Sequence, residues 1–177
     1  MKIKHACPLA LGAALALAAC LPTTPAQAGD ACLVGTWSPQ GNGAAEWVQR
    51  QAPGMKMAIT HQVATLVLAA DGSYRQQSQI QASATGQHAT SARSDARFSA
   101  RGRWSSEAGR LTLTPSESEM DGKVELGSGS GGGTTMALPE SPAQTASHEY
   151  SCRGGELETR MKIPGIADPI VQRYRRL

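Results

Sequence analysis

Aromatic side chains are scarce: the 177-residue chain holds one Phe, three Trp and three Tyr. Its interior must be lined mostly by aliphatic and small residues, a lining that permits a cavity without requiring one. Charge of a single sign is lacking too. Lys and Arg number 17 and Asp and Glu 14, and with Lys2 and Lys4 removed in a leader the remainder is close to neutral. Binding a nucleic-acid backbone needs a concentrated basic face, so nucleic acid is not expected as a partner. Arg173, Arg175 and Arg176 cluster near the C-terminus and read as a solvated face.

No apolar run is long enough to cross a bilayer comfortably, which takes roughly 20 residues. The run Pro8 to Leu21 follows Lys2, Lys4 and His5, the charge order of a secretory leader. Two cleavage points are open. Leu17-Ala18-Ala19-Cys20 resembles the bacterial lipobox, which makes residues 1–19 a signal peptide, Cys20 a lipidated cysteine and residues 20–31 a tether. Pro25-Ala26-Gln27-Ala28 resembles an ordinary A-x-A site, which makes the leader 1–28 and the product soluble in the periplasm or secreted. The lipobox sits directly at the end of the apolar run and is preferred. Leu21 after the cysteine resembles the signal for outer-membrane retention, facing the periplasm.

Cysteine is sparse, and either cut leaves two thiols, Cys32 and Cys152. With no C-x-x-C and no neighbouring histidines, an oxidising envelope makes one disulfide of the pair.

Catalytic motifs are missing as well. There is no G-x-S-x-G, S-x-x-K or H-E-x-x-H, and the Gly-rich stretch from Gly127 to Gly133 lacks the Lys-Ser/Thr of a phosphate loop. No enzyme activity and no cofactor are expected. Glu117, Glu119 and Asp121 in "SESEMDG" read as solvated carboxylates on a turn. Met55, Met57 and His61 in "MKMAITH" form a weak cuprous copper candidate, against which stands the reading that the two thioethers plug the barrel end. No metal site is adopted.

What is present is alternation. "HQVATLVLAADGSYRQQSQIQ" reads as a hairpin turning at Asp71-Gly72. "ARFSARGRWSSEAGRLTLTP" is a second, with Phe98, Ala100, Gly102 and Trp104 on one face and Arg97, Ser99, Arg101 and Arg103 on the other. "HEYSCRGGELETRMKI" turns at Gly154-Gly155, and Ile170 to Leu177 is a closing strand. One stretch, "GAAEWVQRQAPGM", predicts a short helix with Ala44, Trp47, Val48 and Gln51 on one side. Ser128 to Gly133 and the following "ALPESPAQTAS" read as a loop, the least ordered part of the chain. About eight short strands, each with one apolar face, predict an all-β domain over 32–177, an antiparallel up-and-down barrel with one short N-terminal helix.

Gly35-Thr36-Trp37 is similar to the G-x-W of lipocalins. Further along, "LVLAADGSYRQ", "ARGRWSSEAGRLTLT" and "HEYSCRGGELETR" with "VQRYRRL" resemble the bacterial lipocalin-like domains of small exported proteins, over Cys32 to Arg176. The resemblance implies a lipocalin-like barrel with Gly35 and Trp37 as its fold motif. It also implies that Trp37 closes the barrel bottom and that an arginine such as Arg173 or Arg175 stacks over it. His148 and Tyr150 share a strand face with Cys152 and are candidate pocket residues. The expected function is a lipid-anchored binding module for a small apolar ligand. The alternative is a protein-interaction or protease-inhibitor-like envelope lipoprotein, contacting an envelope protein through residues 127–147.

Overall fold

The computed structural model describes residues 29–86, 90–127, 132–140 and 142–177. The expected leader, Cys20, most of the expected tether and residues 128–131 lie outside them. Nine strands form one antiparallel sheet: β1 (Gly35–Gln40), β2 (Lys56–Leu68), β3 (Ser73–Thr85), β4 (Ser91–Glu107), β5 (Arg110–Gly127), β6 (Gly133–Ala137), β7 (Ala146–Arg153), β8 (Glu156–Met161) and β9 (Ile170–Arg176). Strand β1 pairs with both β2 and β9, and β4 with β5, so eight strands close in chain order into an up-and-down barrel. Closure removes the exposed edges that alternating strands would otherwise leave. Strand β6 lies outside the ring, paired to the far half of β5.

The loop expected from Ser128 through "ALPESPAQTAS" is therefore interrupted by a strand. Thr134 and Thr135 suit an extended edge, and the backbone of β5 supplies the partner that local sequence did not reveal. Glu117, Glu119 and Asp121 are corrected likewise, since they stand on β5 rather than on a turn.

One end of the barrel is plugged. Leu33, Trp37, Leu66, Leu68, Tyr74, Ala100, Trp104, Leu111, Leu113 and Leu157 form a single buried cluster. Burying such side chains stabilises by about 1.5–3 kcal/mol each. The two indoles meet their polar requirement locally: Trp37 Nε1 donates to Leu33 O at 2.8 Å and Trp104 Nε1 to Ala69 O at 2.9 Å. The 3₁₀ turn Ala31–Leu33 lies beneath, joined to β7 by the Cys32–Cys152 disulfide, with 6.0 Å between Cα atoms.

Helix α1 (Gly43–Gln51) follows β1 and packs on β9 and β2. Trp47 Nε1 donates to Asp168 O at 2.8 Å, and Gln49 Nε2 to Met57 O at 2.7 Å. The buried face is rotated from the expected one: Ala45 is buried, while Ala44 and Gln51 face water. The anchors of Trp47 to the distant Asp168 and of Gln49 to the start of β2 hold the helix in that rotation.

The wall is uneven. Strands β2 to β5 run 13 to 18 residues, whereas β1 and β7 to β9 run 6 to 8. Strand β1 accompanies β2 only at Gly35–Trp37, and β7 accompanies β5 only at Arg110–Leu113. The remaining length of β2 to β5 rises beyond the short side as a tall wall, by roughly 30 Å at 3.3 Å per residue.

Candidate functional site

On the tall wall, side-chain parity divides two surfaces. Even positions of β3 and β4, among them Tyr74, Ala100 and Trp104, point to the core, so Arg75, Gln77, Ser99, Arg101 and Arg103 point outward. On β5 a bulge at Ser116 shifts the register from Arg101↔Glu117 to Gly102↔Pro115, and beyond it the odd positions Glu117, Glu119 and Asp121 share the outer face with the arginines. A Cβ on Gly102 would lie 2.1 Å from Thr114 O, so this crossing of β4 and β5 is possible only with glycine.

The outer face carries a charge ladder. Arg93 stands opposite Glu125, Asp95 opposite Lys123, Arg97 opposite Asp121 and Arg101 opposite Glu117. The last pair is bidentate, Nε to Oε2 and Nη2 to Oε1, both at 2.7 Å. Exposed pairs of this kind contribute little stability, but a two-residue slip would set Asp95 against Glu125, so the ladder selects register.

Clefts also open along this outer face. A cleft of about 1080 Å³ is floored by Arg75, Gln77, Ser99, Arg101 and Glu119, and rimmed by Glu140 and Pro142 from the segment between β6 and β7. Sharing Gln77, Ser99, Glu119 and Asp121 with it is a second cleft of about 550 Å³ that reaches Val63 on β2. A third, of about 570 Å³, shares Arg75, Arg101 and Ser116 and ends at Val67 and Arg103. Together they make one trough, basic at the Arg75–Arg103 end, acidic at Glu119, Asp121 and Glu140, and apolar along Val63 and Val67.

The residues singled out from sequence are placed elsewhere. Tyr150 packs against the plug and its hydroxyl donates to Asp30 Oδ2 at 3.2 Å. His148 is inward-facing, its Nδ1 enclosed and without a hydrogen-bond partner among the described residues; burial lowers its pKa and favours the neutral ring. Neither lines the trough. Gly35 and Trp37 lie at the plugged end, and the arginine over Trp37 is Arg176, its Cζ 4.7 Å from the ring centroid. Register explains why Arg173 and Arg175 do not take that position. Trp37 is paired with Arg176, whereas Arg175 and Arg173 stand opposite Ser38 and Gln40. Arg173 is instead bound outside to Glu158 at 3.0 Å.

Met55, Met57 and His61 are not brought together. Met55 precedes β2 and is exposed, and a bulge between Ile59 and His61 reverses the parity of the strand. Met57 then shares a face with Ala84, while His61 pairs with Gln81 on the other face. No group of three or more His, Cys, Asp or Glu side chains suited to a metal ion occurs among the described residues. Sequence reasoning placed Arg75, Arg101 and Glu117 on strands or in acidic runs without seeing a site. The signal was the outward arginine series of β4, whose partners appear only once β5 is in register.

Comparison with known protein families, with curated proteins and with solved structures finds no match to this chain.

Proposed function

We propose that the protein is an exported binding module of the bacterial cell envelope, lipocalin-like in shape, held to the outer membrane through Cys20 and taking its ligand in the trough on the outside of the tall wall. One observation carries the reading: a cleft of about 1080 Å³ lies on the outer face of β3 to β5, floored by charged side chains on rigid strands. Sites built on strands hold their groups in fixed geometry. Of the interior residues first considered, Tyr150 packs against the plug and His148 faces inward away from the trough, so the ligand expectation moves from a greasy calyx to a polar exterior groove. A disulfide suits an oxidising compartment. Asp30 supports the tether, because its backbone N–H donates to Ser106 Oγ at 2.7 Å and its carboxylate takes the Tyr150 hydroxyl, holding the entering chain beneath the plugged end. The open end of the wall then points away from the lipid.

Native mass spectrometry of protein isolated from its host membrane tests this reading. A bound small molecule on a chain beginning at an acylated Cys20 is the expected result. A chain beginning at Gly29 overturns the anchor, and a ligand-free chain whose trough residues are unshifted by host extract in NMR overturns the binding reading.

A second reading, a protein-interaction module, is favoured by β6. All five of its residues are exposed, it carries no charge or proline, and its outer edge has no strand beside it among the described residues. Met136 on β6 and Leu126 on β5 are exposed beside that edge. Such an edge can accept an extended segment of a partner. Retention of an envelope protein that a Thr135→Pro variant fails to retain would support it.

A further inference from the structure

The basic end of the trough has a charge arrangement that the fold does not require. Arg75 on β3 and Arg101 on β4 stand directly opposite one another on the outer face, and Arg103 follows on the same face, opposite Ser73. Facing like charges on adjacent strands are unfavourable, and elsewhere on this wall β4 and β5 set opposite charges against each other. Three guanidinium stems are thereby rooted within a patch about 7 Å across.

Their compensation is incomplete. Arg101 is matched by Glu117. Arg103 lies in the field of Asp71, but that carboxylate is already held by Ser73, through its backbone N–H at 2.8 Å and its hydroxyl at 2.7 Å. Arg75 has no carboxylate within ion-pair distance among the described residues. The cleft over these side chains, about 570 Å³, has no acidic residue in its lining. The Ser116 bulge and the bare backbone of Gly102 lie in its floor, where strands carry side chains off their regular spacing.

We propose that Arg75 and Arg103, with Arg101 beside them, bind a phosphate group. Guanidinium forks match the oxygens of phosphate in bidentate geometry, and the unpaired fork of Arg75 with the partly compensated fork of Arg103 on the neighbouring strand can hold one phosphate from two sides. The acidic end of the trough fixes the orientation. Glu119, which stands opposite Ser99, and Glu140 repel the anion and accept hydroxyl or ammonium groups of the same molecule. The ligand is thus a phosphate ester with a polar or cationic remainder, and Val67 and Ala69 border the anion end. The chemistry is shared by a phospholipid headgroup and a soluble phosphate ester. This inference rests on the binding-module reading and names the ligand class of that same trough.

The test follows arginine Nε–H signals of the full chain by NMR during titration with inorganic phosphate, glycerol 1-phosphate and dihexanoyl phosphatidylglycerol. Saturable shifts confined to Arg75, Arg101 and Arg103 are expected, with affinity for each probe falling at least about tenfold in an Arg75→Gln, Arg103→Gln double variant. An Arg93→Gln variant, further along the same outer face, should bind as the parent does. Tighter binding of the short-chain lipid than of glycerol 1-phosphate assigns a lipid source, and equal binding assigns a soluble ester. Shifts that do not saturate, that spread over all arginines, or that persist in a folded double variant overturn the phosphate site. If the double variant still carries the molecule found by native mass spectrometry, the phosphate site falls while the binding module stands.

Discussion

The guanidinium of Arg176 lies over the Trp37 ring, 4.7 Å from its centroid, while its Nη2 donates to the carbonyl of Cys32. The last residues of the chain thus clamp the first strand and the disulfide-bearing turn at once. Two backbone bonds continue the clamp: Arg176 N–H donates to Gly155 O at 2.9 Å and Leu177 N–H to Thr36 O at 2.9 Å. Gly35 adopts φ 154°, a conformation open to glycine, beside the Arg176 side chain.

Arg176→Met should lose both the ring contact and the hydrogen bond to Cys32 O, lowering stability by about 1–2 kcal/mol. Urea denaturation followed by tryptophan fluorescence measures it. Arg175→Met, on the opposite face of β9, should change stability by less than about 0.5 kcal/mol.

Opening the Cys32–Cys152 bridge releases a span of 120 residues. The chain-entropy model assigns about 4–5 kcal/mol to a loop of this size. The Cys32→Ser, Cys152→Ser double variant should unfold at markedly lower urea, and the parent with reductant should match it. A midpoint unchanged by reductant would show that the unpaired thiols hold the turn equally well.

Ala108 has φ 48° in the turn that joins β4 to β5, followed by Gly109 at φ 75°. This left-handed pair is the signature of a hairpin turn that favours Asn-Gly. Ala108→Asn should stabilise by about 0.5–1 kcal/mol, read as a rise in melting temperature, because Asn tolerates that conformation better than Ala.

His148 is held below its ordinary pKa near 6.5 by burial. In the unfolded chain the ring takes up a proton as pH falls through 6.5, while the folded chain resists until lower pH. The unfolded state therefore binds more protons in that window, and stability must fall as pH drops below about 6.5. His148→Leu should flatten this part of the stability–pH curve, measured by urea titrations between pH 7.5 and 5. A curve unaltered by the substitution would show that the buried ring does not set the profile; the carboxylates Glu149 and Glu158, held low by Lys162 and by Arg160 and Arg173, lose their stabilising effect only below this pH window.

Local pattern carried much of the architecture. The two-residue rhythm located the hairpins turning at Asp71-Gly72 and Gly154-Gly155 and a third within "ARFSARGRWSSEAGRLTLTP", because side chains alternate across a strand whatever it pairs with. With the expected leader removed and Cys20 acylated or lost, Cys32 and Cys152 were the one pairing to expect. The trough was not legible in the same way. Arg75 and Arg101 are 26 positions apart, and only β3–β4 register sets them face to face. Strand β6 was hidden because five weakly apolar residues become a strand only beside the edge of β5.

The sequence by itself determined that this is an all-β chain of sequential hairpins with a bridge between Cys32 and Cys152. Those features follow from side-chain alternation, turn chemistry and cysteine count, which are short-range or have no competitor. Tertiary structure alone decided which arginine meets Trp37, which face His61 takes, and that the clefts are lined by the outward residues of the tall wall. Each of those depends on strand lengths, bulges and register across the sheet, and one inserted residue in a strand exchanges its inner and outer faces.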